Sequence, residues 1–266
     1  MKSRKNLGFI SSLRDQIMAD KKVFVIWAGL RLLVLAALVL SVLRQDFESA
    51  FICILTLILF LVPAFIQRKL NVEFPSVLQI IILLHIFAAQ ILGELSSYYL
   101  HFPHWDTVLH TVWGFLCAAL GYSLVDILNQ DNSFHFNLSP LYLAIASFCF
   151  SMTIGVFWEF FEFAADRLLL LDMQKDTVIP LVSTVLLDET KSNIPIIIEG
   201  INSVSINGSE LGLGGYLDIG LYDTMEDLFV NFIGALVFSV IGYFGSKNDG
   251  KSHFAFHFIP RLKENG

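Results

Sequence analysis

Charged residues are scarce in this sequence. They make up 15% of its 266 residues, whereas a soluble domain carries about 25%. Apolar residues make up 55%, and the mean hydropathy is +0.67. A chain with so few charged residues cannot provide the polar, solvent-exposed surface of a soluble domain of this size. The composition therefore indicates an integral membrane protein.

Cysteine is also rare. Cys53, Cys117 and Cys149 each lie in an apolar run, and their odd number and spacing fit neither a disulfide framework nor a zinc motif. We interpret them as packing residues. The first apolar run, which starts near Val23, lacks a small-residue cleavage site after it, so we expect a retained span rather than a signal peptide. The sequence also lacks a P-loop, a dinucleotide fingerprint and a nucleophilic serine motif.

Six stretches are apolar enough to cross the hydrocarbon core as helices, which takes about 20 residues. They cover residues 23–43, 50–66, 75–95, 106–128, 140–168 and 223–244. The sequence therefore predicts an all-α fold: a polytopic membrane bundle of six helices that occupies residues 23–245.

The three longest segments outside the predicted spans lie at the two ends of the chain and before the last span. Residues 1–22 have helical apolar spacing with basic residues between, which is typical of an amphipathic segment at the inner membrane surface. Residues 246–266 form a second terminal segment. The insertion at residues 169–222 is too apolar to stay solvated, so we expect an ordered structure with short strands or helices.

Lysine and arginine predict the orientation. Twelve lie in segments that the six spans put on one side of the membrane and four on the other. Because positive residues concentrate in cytoplasmic loops, we expect both termini in the cytoplasm and the insertion outside.

Polar side chains, which are expensive in a membrane, collect at the outer ends of spans four to six. They are Asp106 and His110 in span four, Glu159, Glu162 and Asp166 in span five, and Asp223, Asp227 and Asn231 in span six. Within each set, spacings of three, four, seven or eight residues give one helix face. The predicted topology puts all three faces at one depth, so we expect a single site.

Metal binding is the chemistry that this set favours. Buried carboxylates must take up protons, meet cations or bind a metal, and facing helices build metal sites from such ligands. We predict that all eight residues are ligands. The oxygen atoms favour Mg²⁺, Mn²⁺ or Ca²⁺, and the histidine also admits Zn²⁺. Glu159, Glu162 and Asp227 lie deepest, and we predict a catalytic role for them.

A structural interpretation stays open for three of these residues. Asp106 and Asp223 stand where helix N-caps belong, and Asp223 with Glu226 has the spacing of a capping box. Asp166 lies beside Arg167 near a helix end and can pair locally. These residues are ligands or helix-end residues.

Three functions fit the composition and the acidic set. The first is a metal-dependent enzyme that acts on a lipid headgroup or an envelope precursor, with a carboxylate as general base. The second is a transporter of cations or protons, and the third is a membrane protein with a structural acidic cluster. The expected partners are the lipid bilayer and a lipid-linked substrate, not nucleic acid.

Three motifs resemble a known family. They are Asp106-x-x-x-His110-x-x-x-Gly114, Trp158-Glu159-x-x-Glu162-x-x-x-Asp166 and Tyr222-Asp223-Thr-x-x-Asp227-x-x-x-Asn231-x-x-Gly234. With them the chain is similar to the YjdF-like family of bacterial inner-membrane proteins, and more loosely to VanZ-like proteins. The long insertion departs from the compact VanZ-like pattern. The resemblance implies a bacterial plasma membrane and supplies no reaction.

Overall fold

The fold is known from a computed structural model that describes residues 20–69, 71–130, 138–247 and 257–262, without the side chains of residues 129, 130, 261 and 262. Within these residues, six helical stretches are long and apolar enough to cross a membrane. The predicted polytopic helical bundle is thereby confirmed. Residues 1–19 of the predicted amphipathic segment lie outside the described residues. Most of the predicted terminal tail lies outside them as well.

Nine helical segments form the bundle among the described residues. The first three spans are α1 (Lys21–Leu43), α2 with α3 (Phe47–Leu59 and Val62–Lys69), and α4 with a π-helical segment (Ser76–Phe87 and Ala88–Leu95). The short α5 (Tyr98–His101) precedes the last three spans, α6 (Trp105–Gln130), α7 (Pro140–Leu169) and α8 (Leu221–Lys247).

Capping residues set where the first helices begin. The carboxylate of Asp20 accepts hydrogen bonds from the backbone N–H groups of Lys22 and Val23, at 2.7 and 3.4 Å. Asp46 caps α2 in the same way through the N–H of Ser49, at 3.1 Å. The second span is interrupted between α2 and α3, just before Pro63. Proline lacks the N–H that a continuous helix needs and is tolerated only in a first turn.

The chain divides into two compact units. The large unit holds the residues up to Gly155 and from Val230 onward, and the small unit is Val156–Phe229. Helices α7 and α8 contribute residues to both units. All three motif helices therefore contain residues of the large unit, whereas the insertion belongs to the small unit.

Small residues allow close helix packing in the large unit. A Cβ atom on Gly114 would collide with the backbone carbonyl of Asn231, and one on Gly234 would collide with the backbone of Thr111 and Phe115. Helices α6 and α8 therefore pack backbone to backbone, as membrane helices do at small residues. Next to this crossing, the hydroxyl of Ser151 on α7 donates to the carbonyl of Gly114 at 2.7 Å.

Two short strands pair a segment near the end of the chain with the segment that follows α3. Strand β1 (Val72–Glu73) pairs antiparallel with β8 (Arg261–Leu262). Phe258, just before β8, packs edge-on against Phe115, with 5.2 Å between ring centroids. These contacts place residues 257–262 against the helices of the large unit.

The small unit contains the insertion, which is built from three antiparallel two-stranded ladders. Strand β2 (Thr177–Ile179) pairs with β7 (Tyr216–Asp218), and β3 (Val182–Thr184) pairs with β4 (Ile196–Ile198). Strand β5 (Ser205–Ile206) pairs with β6 (Ser209–Glu210). The insertion has an ordered structure, as predicted, and its elements are strands rather than helices.

Candidate metal centre

Three carboxylates of the small unit come together at the ends of α7 and α8. Glu159 and Glu162 lie three residues apart on α7, and Asp227 lies on α8. Their exposed fractions are 4, 7 and 3%. Each offers one carboxylate oxygen, and these oxygens all lie within 4.8 Å of one another. We call this group the acidic triad.

A tryptophan orients one member of the triad. The indole N–H of Trp158 donates to Oε1 of Glu162 at 2.8 Å, from the turn of α7 that precedes it. A hydrogen bond of this kind holds a ligand carboxylate in place. Trp158 belongs to the family motif, but its spacing alone does not predict this contact. A tryptophan near a helix end is typical of the membrane interface in any case.

Two further predicted ligands bind the start of the insertion. The oxygens of Asp166 accept hydrogen bonds from the backbone N–H groups of Met173 and Gln174, at 2.6 and 2.8 Å. Oδ2 of Asp223 accepts from the N–H of Lys175 at 2.8 Å. We call Asp166 and Asp223 the root aspartates. As metal ligands they would have to share these oxygens with backbone donors, so their ligand role stays a prediction.

The interpretation of Asp223 as the N-cap is wrong, because the helix starts before this residue. Helix α8 begins at Leu221, two residues before Asp223, and Oδ2 of Asp218 accepts the N–H of Tyr222 at 3.0 Å. Asp106 likewise lies inside the first turn of α6, which begins at Trp105. Both aspartates remain close to a helix N-terminus, where a negative charge is favoured.

Gln174 is a buried residue of the small unit that the sequence did not single out. Its side-chain amide donates to the hydroxyl of Thr224 at 2.5 Å, and its Cβ lies where Gly220 leaves room. Gly220 has a φ of +92°, which only glycine adopts at low cost. Gln174 therefore ties the start of the insertion to the start of α8. One polar residue in a loop carries no periodic signal that would have predicted this.

Burial and repulsion act together on one acid near the root of the insertion. Burial raises the pKa of the Asp176 carboxyl, and the nearby negative charges of Asp172, Asp218 and Asp166 raise it further. Lys175 partly offsets them. The insertion is therefore acidic where it joins the membrane helices.

The remaining predicted ligands belong to the large unit. Nε2 of His110 lies 3.6 Å from Oδ1 of Asp106, one turn earlier on α6. Asn231 is buried, and its amide group lies 3.5 Å from the sulfur of Met152. Among the described residues, its Oδ1 has no hydrogen-bond partner. A side chain at Gly155 would collide with Asn231. The predicted ligand roles of Asp106, His110 and Asn231 stay predictions.

The comparison with protein families agrees with the membrane fold. The DUF2238 family, described as predicted membrane proteins, matches residues 26–248, which reach from within the first span to the end of the sixth and include the insertion. No curated protein and no solved structure matches the chain. The match confirms the YjdF-like resemblance of the three motifs. The chain is therefore a member of the DUF2238 family of predicted membrane proteins.

Proposed function

We propose that this multi-pass membrane protein binds a divalent metal ion through the acidic triad. The observation that carries the proposal is the approach of three carboxylate oxygens within 4.8 Å of one another, on side chains that are all buried. Metal–oxygen distances are about 2.0–2.6 Å, so two ligands of one ion lie at most about 4–5 Å apart. Glu159, Glu162 and Asp227 are thus close enough to share one ion.

The charge of the small unit favours a cation at this place. Its three basic residues, Arg167, Lys175 and Lys191, are exposed. Its acidic residues number thirteen and include the buried triad. Buried negative charge is unfavourable in a low dielectric unless a proton or a cation balances it.

Oxygen ligands decide which ion fits best. The triad is oxygen-only, and the small unit contains no histidine or cysteine. Mg²⁺, Mn²⁺ and Ca²⁺ prefer such ligands, whereas Zn²⁺ more often takes nitrogen or sulfur. We therefore expect one of the first three ions.

The position of the triad suggests a use for the ion. Its helices are membrane spans, and the root aspartates lie four residues from Glu162 and Asp227, toward the insertion. We infer that the triad lies near the depth at which a lipid headgroup meets the helices. We propose an enzyme that acts on a lipid headgroup or an envelope precursor. A bound divalent ion would supply Lewis-acid polarisation of a phosphoryl or acyl oxygen, and a triad carboxylate would serve as general base.

We propose further that the protein lies in a bacterial plasma membrane with both termini in the cytoplasm. Twelve against four basic residues support this orientation. Single cysteines at the exposed positions Ser192 and Lys247 of a cysteine-free variant would test it. An impermeant thiol reagent on intact cells should label Ser192→Cys and not Lys247→Cys. The reverse pattern would refute the orientation.

Metal analysis of purified protein tests the metal proposal. The wild type should retain close to one equivalent of a divalent ion after gentle purification or after incubation with Mg²⁺, Mn²⁺ or Ca²⁺ and desalting. The double variant Glu159→Gln/Glu162→Gln should lose it, because neutral amides keep the shape and remove the charge. The matched control is Glu226→Gln, the same exchange at an exposed residue next to Asp227.

Two outcomes would contradict the proposal. Equal metal content in the wild type and the double variant would place the ion elsewhere. No retained or bound ion under any of these conditions, with stability that tracks pH alone, would favour protons in the triad and the proton-coupled alternative.

A further inference from the structure

The insertion carries apolar side chains that its own fold leaves uncovered. The three isoleucines of β4 are all exposed. Neighbouring strand residues point to opposite faces, so both faces of this strand are apolar and uncovered. The loop from β3 to β4 adds Leu186, which is 91% exposed, and Leu187 and Ile194, which are also exposed. We call residues 182–198 the apolar hairpin.

A ladder of this kind is not stable in water by itself. The apolar hairpin has two strands, and β3 and β4 form a sheet of their own. An isolated two-stranded ladder is marginal in water at best, and an exposed apolar strand pairs or aggregates unless it is covered. Among the described residues these side chains stay exposed, so we expect an apolar surface beyond them to cover the apolar hairpin.

The exposed apolar surface of α7 continues without a break into the insertion. Along the last turns of α7 the exposed side chains include Phe160, Phe163 and Leu168. The run does not stop with the helix, because Leu170 and Leu171 beyond it are exposed as well. On the other side, Ile219, Leu221 and Tyr222 lead into α8 and are also exposed. Both connections of the insertion thus extend the surface that faces lipid.

The backbone at the end of α7 supports this continuity. Leu170 has a φ of +56° and is 87% exposed. Glycine or asparagine is the usual residue in this left-handed position after a helix, and a bulky residue there is an outlier. A leucine at such a strained and exposed position gains little in water. Contact with lipid gives it an apolar surrounding.

Hydrogen bonds hold the insertion close to the membrane. The root aspartates bind the backbone of residues 173–175, and Gln174 binds Thr224 on α8. The insertion therefore starts at the ends of two spans. The apolar hairpin begins only seven residues after Lys175, at Val182, so it lies within easy reach of the bilayer surface.

We propose that the apolar hairpin docks into the surface of the lipid bilayer at the end where α7 leaves it and α8 enters it. The partner is the apolar part of neutral lipid, because residues 170–220 carry seven acidic and only two basic side chains. Anionic lipid would repel such a segment. Amphipathic elements of this kind sink to the boundary of headgroups and acyl chains. The proposal is independent of metal binding by the acidic triad.

Lipid quenching tests the docking. A fluorescent thiol label is placed at Leu186→Cys or Ile197→Cys in a full-length variant with the native cysteines replaced by alanine, reconstituted as single copies in phosphatidylcholine nanodiscs. Lipids with a nitroxide near the headgroup should quench both labels strongly, and lipids with a nitroxide at the chain end should quench them less. The matched control is Ser209→Cys, on the polar ladder of the same insertion, which should stay unquenched.

A second measurement covers the case in which the cysteine-free protein does not fold. A photo-crosslinking amino acid at position 197 of the protein with its native cysteines should form lipid adducts on illumination, and one at position 209 should not. Absence of quenching or of adducts at position 197 in single-copy nanodiscs would overturn the proposal. Protection of position 197 only when two copies share a nanodisc would overturn it in favour of a second copy. Quenching that requires anionic lipid would overturn the proposal that apolar contacts with neutral lipid hold the hairpin.

Discussion

The two units of the molecule bury different kinds of polar group. In the large unit, buried serines on α6 and α7 donate to helix carbonyls, as Ser147 does to Ala118 and Ser151 to Gly114, each at 2.7 Å. In the small unit, the buried polar groups include the three carboxylates of the acidic triad. A hydroxyl has a proton to donate and stabilises packing, whereas an ionised carboxylate only accepts. Under our proposal, the large unit is a packed scaffold and the small unit binds the metal ion.

The effect of divalent ions on thermal stability should show the largest difference between variants of the two units. A ligand that binds only the folded state stabilises it by about 2.7 kcal/mol at a hundredfold excess over its Kd. The Tm of the wild type in detergent should therefore rise with Mg²⁺, Mn²⁺ or Ca²⁺ near neutral pH. Carboxylates must be deprotonated to bind, so the rise should shrink at about pH 5.

The double variant Glu159→Gln/Glu162→Gln should show no such rise, and Glu226→Gln should behave like the wild type. The large-unit variant Ser151→Ala should keep the full ion-dependent shift. An ion-dependent shift that survives in the double variant would remove the contrast between the units.

The close crossing of α6 and α8 should be the most sensitive packing point of the large unit. Gly234→Ala would push a methyl group into the backbone of Thr111 and Phe115, and backbone atoms cannot rotate away. Overpacking of this kind costs about 1–3 kcal/mol. Thermal unfolding in detergent should show the loss, with metal content unchanged.

Gly29→Ala is the matched control for this prediction. Among the described residues, nothing beyond its own stretch of helix α1 lies within 4 Å of a Cβ at Gly29, so the exchange should be neutral or stabilise by up to about 1 kcal/mol through helix propensity. Equal effects at Gly29 and Gly234 would mean that the helices do not pack as closely as the structure shows.

A serine that bridges two helices should matter more than one that bonds within its own helix. Ser151→Ala removes a bond from α7 to α6, whereas Ser123→Ala removes a bond to Ala119 in the same helix. Cross-helix bonds in membranes average about 0.6 kcal/mol, so only the first variant should lower the Tm measurably. A larger loss for Ser123→Ala would contradict the scaffold role of these serines.

A half-buried acid of the small unit should behave unlike the triad. Hydrogen bonds from Thr190, and from the backbone N–H groups of Ile194 and Ser192, hold the pKa of Asp188 below its ordinary value. A lowered folded-state pKa means stability that is present above the unfolded value and is lost as the pH falls through the folded one. Asp188→Asn should therefore loosen this loop at neutral pH.

Hydrogen exchange at the amides of Ser192 and Ile194 would measure this effect. The variant should exchange faster than the wild type near neutral pH, and the two should converge in strong acid. Added divalent ions should not change the comparison. A dependence on divalent ions would mean that Asp188 belongs to a metal site too.

Much of the fold was predictable because hydropathy is local. Apolar runs of sufficient length predicted six spans, and the described residues contain six. Two changes in helix geometry that hydropathy does not detect were not predicted. These are the interruption before Pro63 and the change to a π-helix at Ala88–Leu95, which leave the apolar pattern intact.

The candidate site was predictable only in part. Helical spacing placed each acidic set on one face, and the structure brings Glu159, Glu162 and Asp227 together. Spacing did not reveal that Asp166 and Asp223 bind the backbone of the insertion, because those donors come from a loop without periodicity. Nor did it reveal the hydrogen bond from Trp158 to Glu162, which depends on side-chain rotamers.

The amino-acid sequence alone was enough to define the membrane environment of this protein and its set of polar residues. Little charge and long apolar runs require lipid, and the positions of the acids at the span ends are visible in the chain. The packing of helices and loops was needed to see which acids lie together, which ones hold the insertion, and which apolar side chains stay exposed. The physical reason is that helix periodicity sets the direction of a side chain relative to its own axis. What it meets there depends on how other helices and loops pack against it.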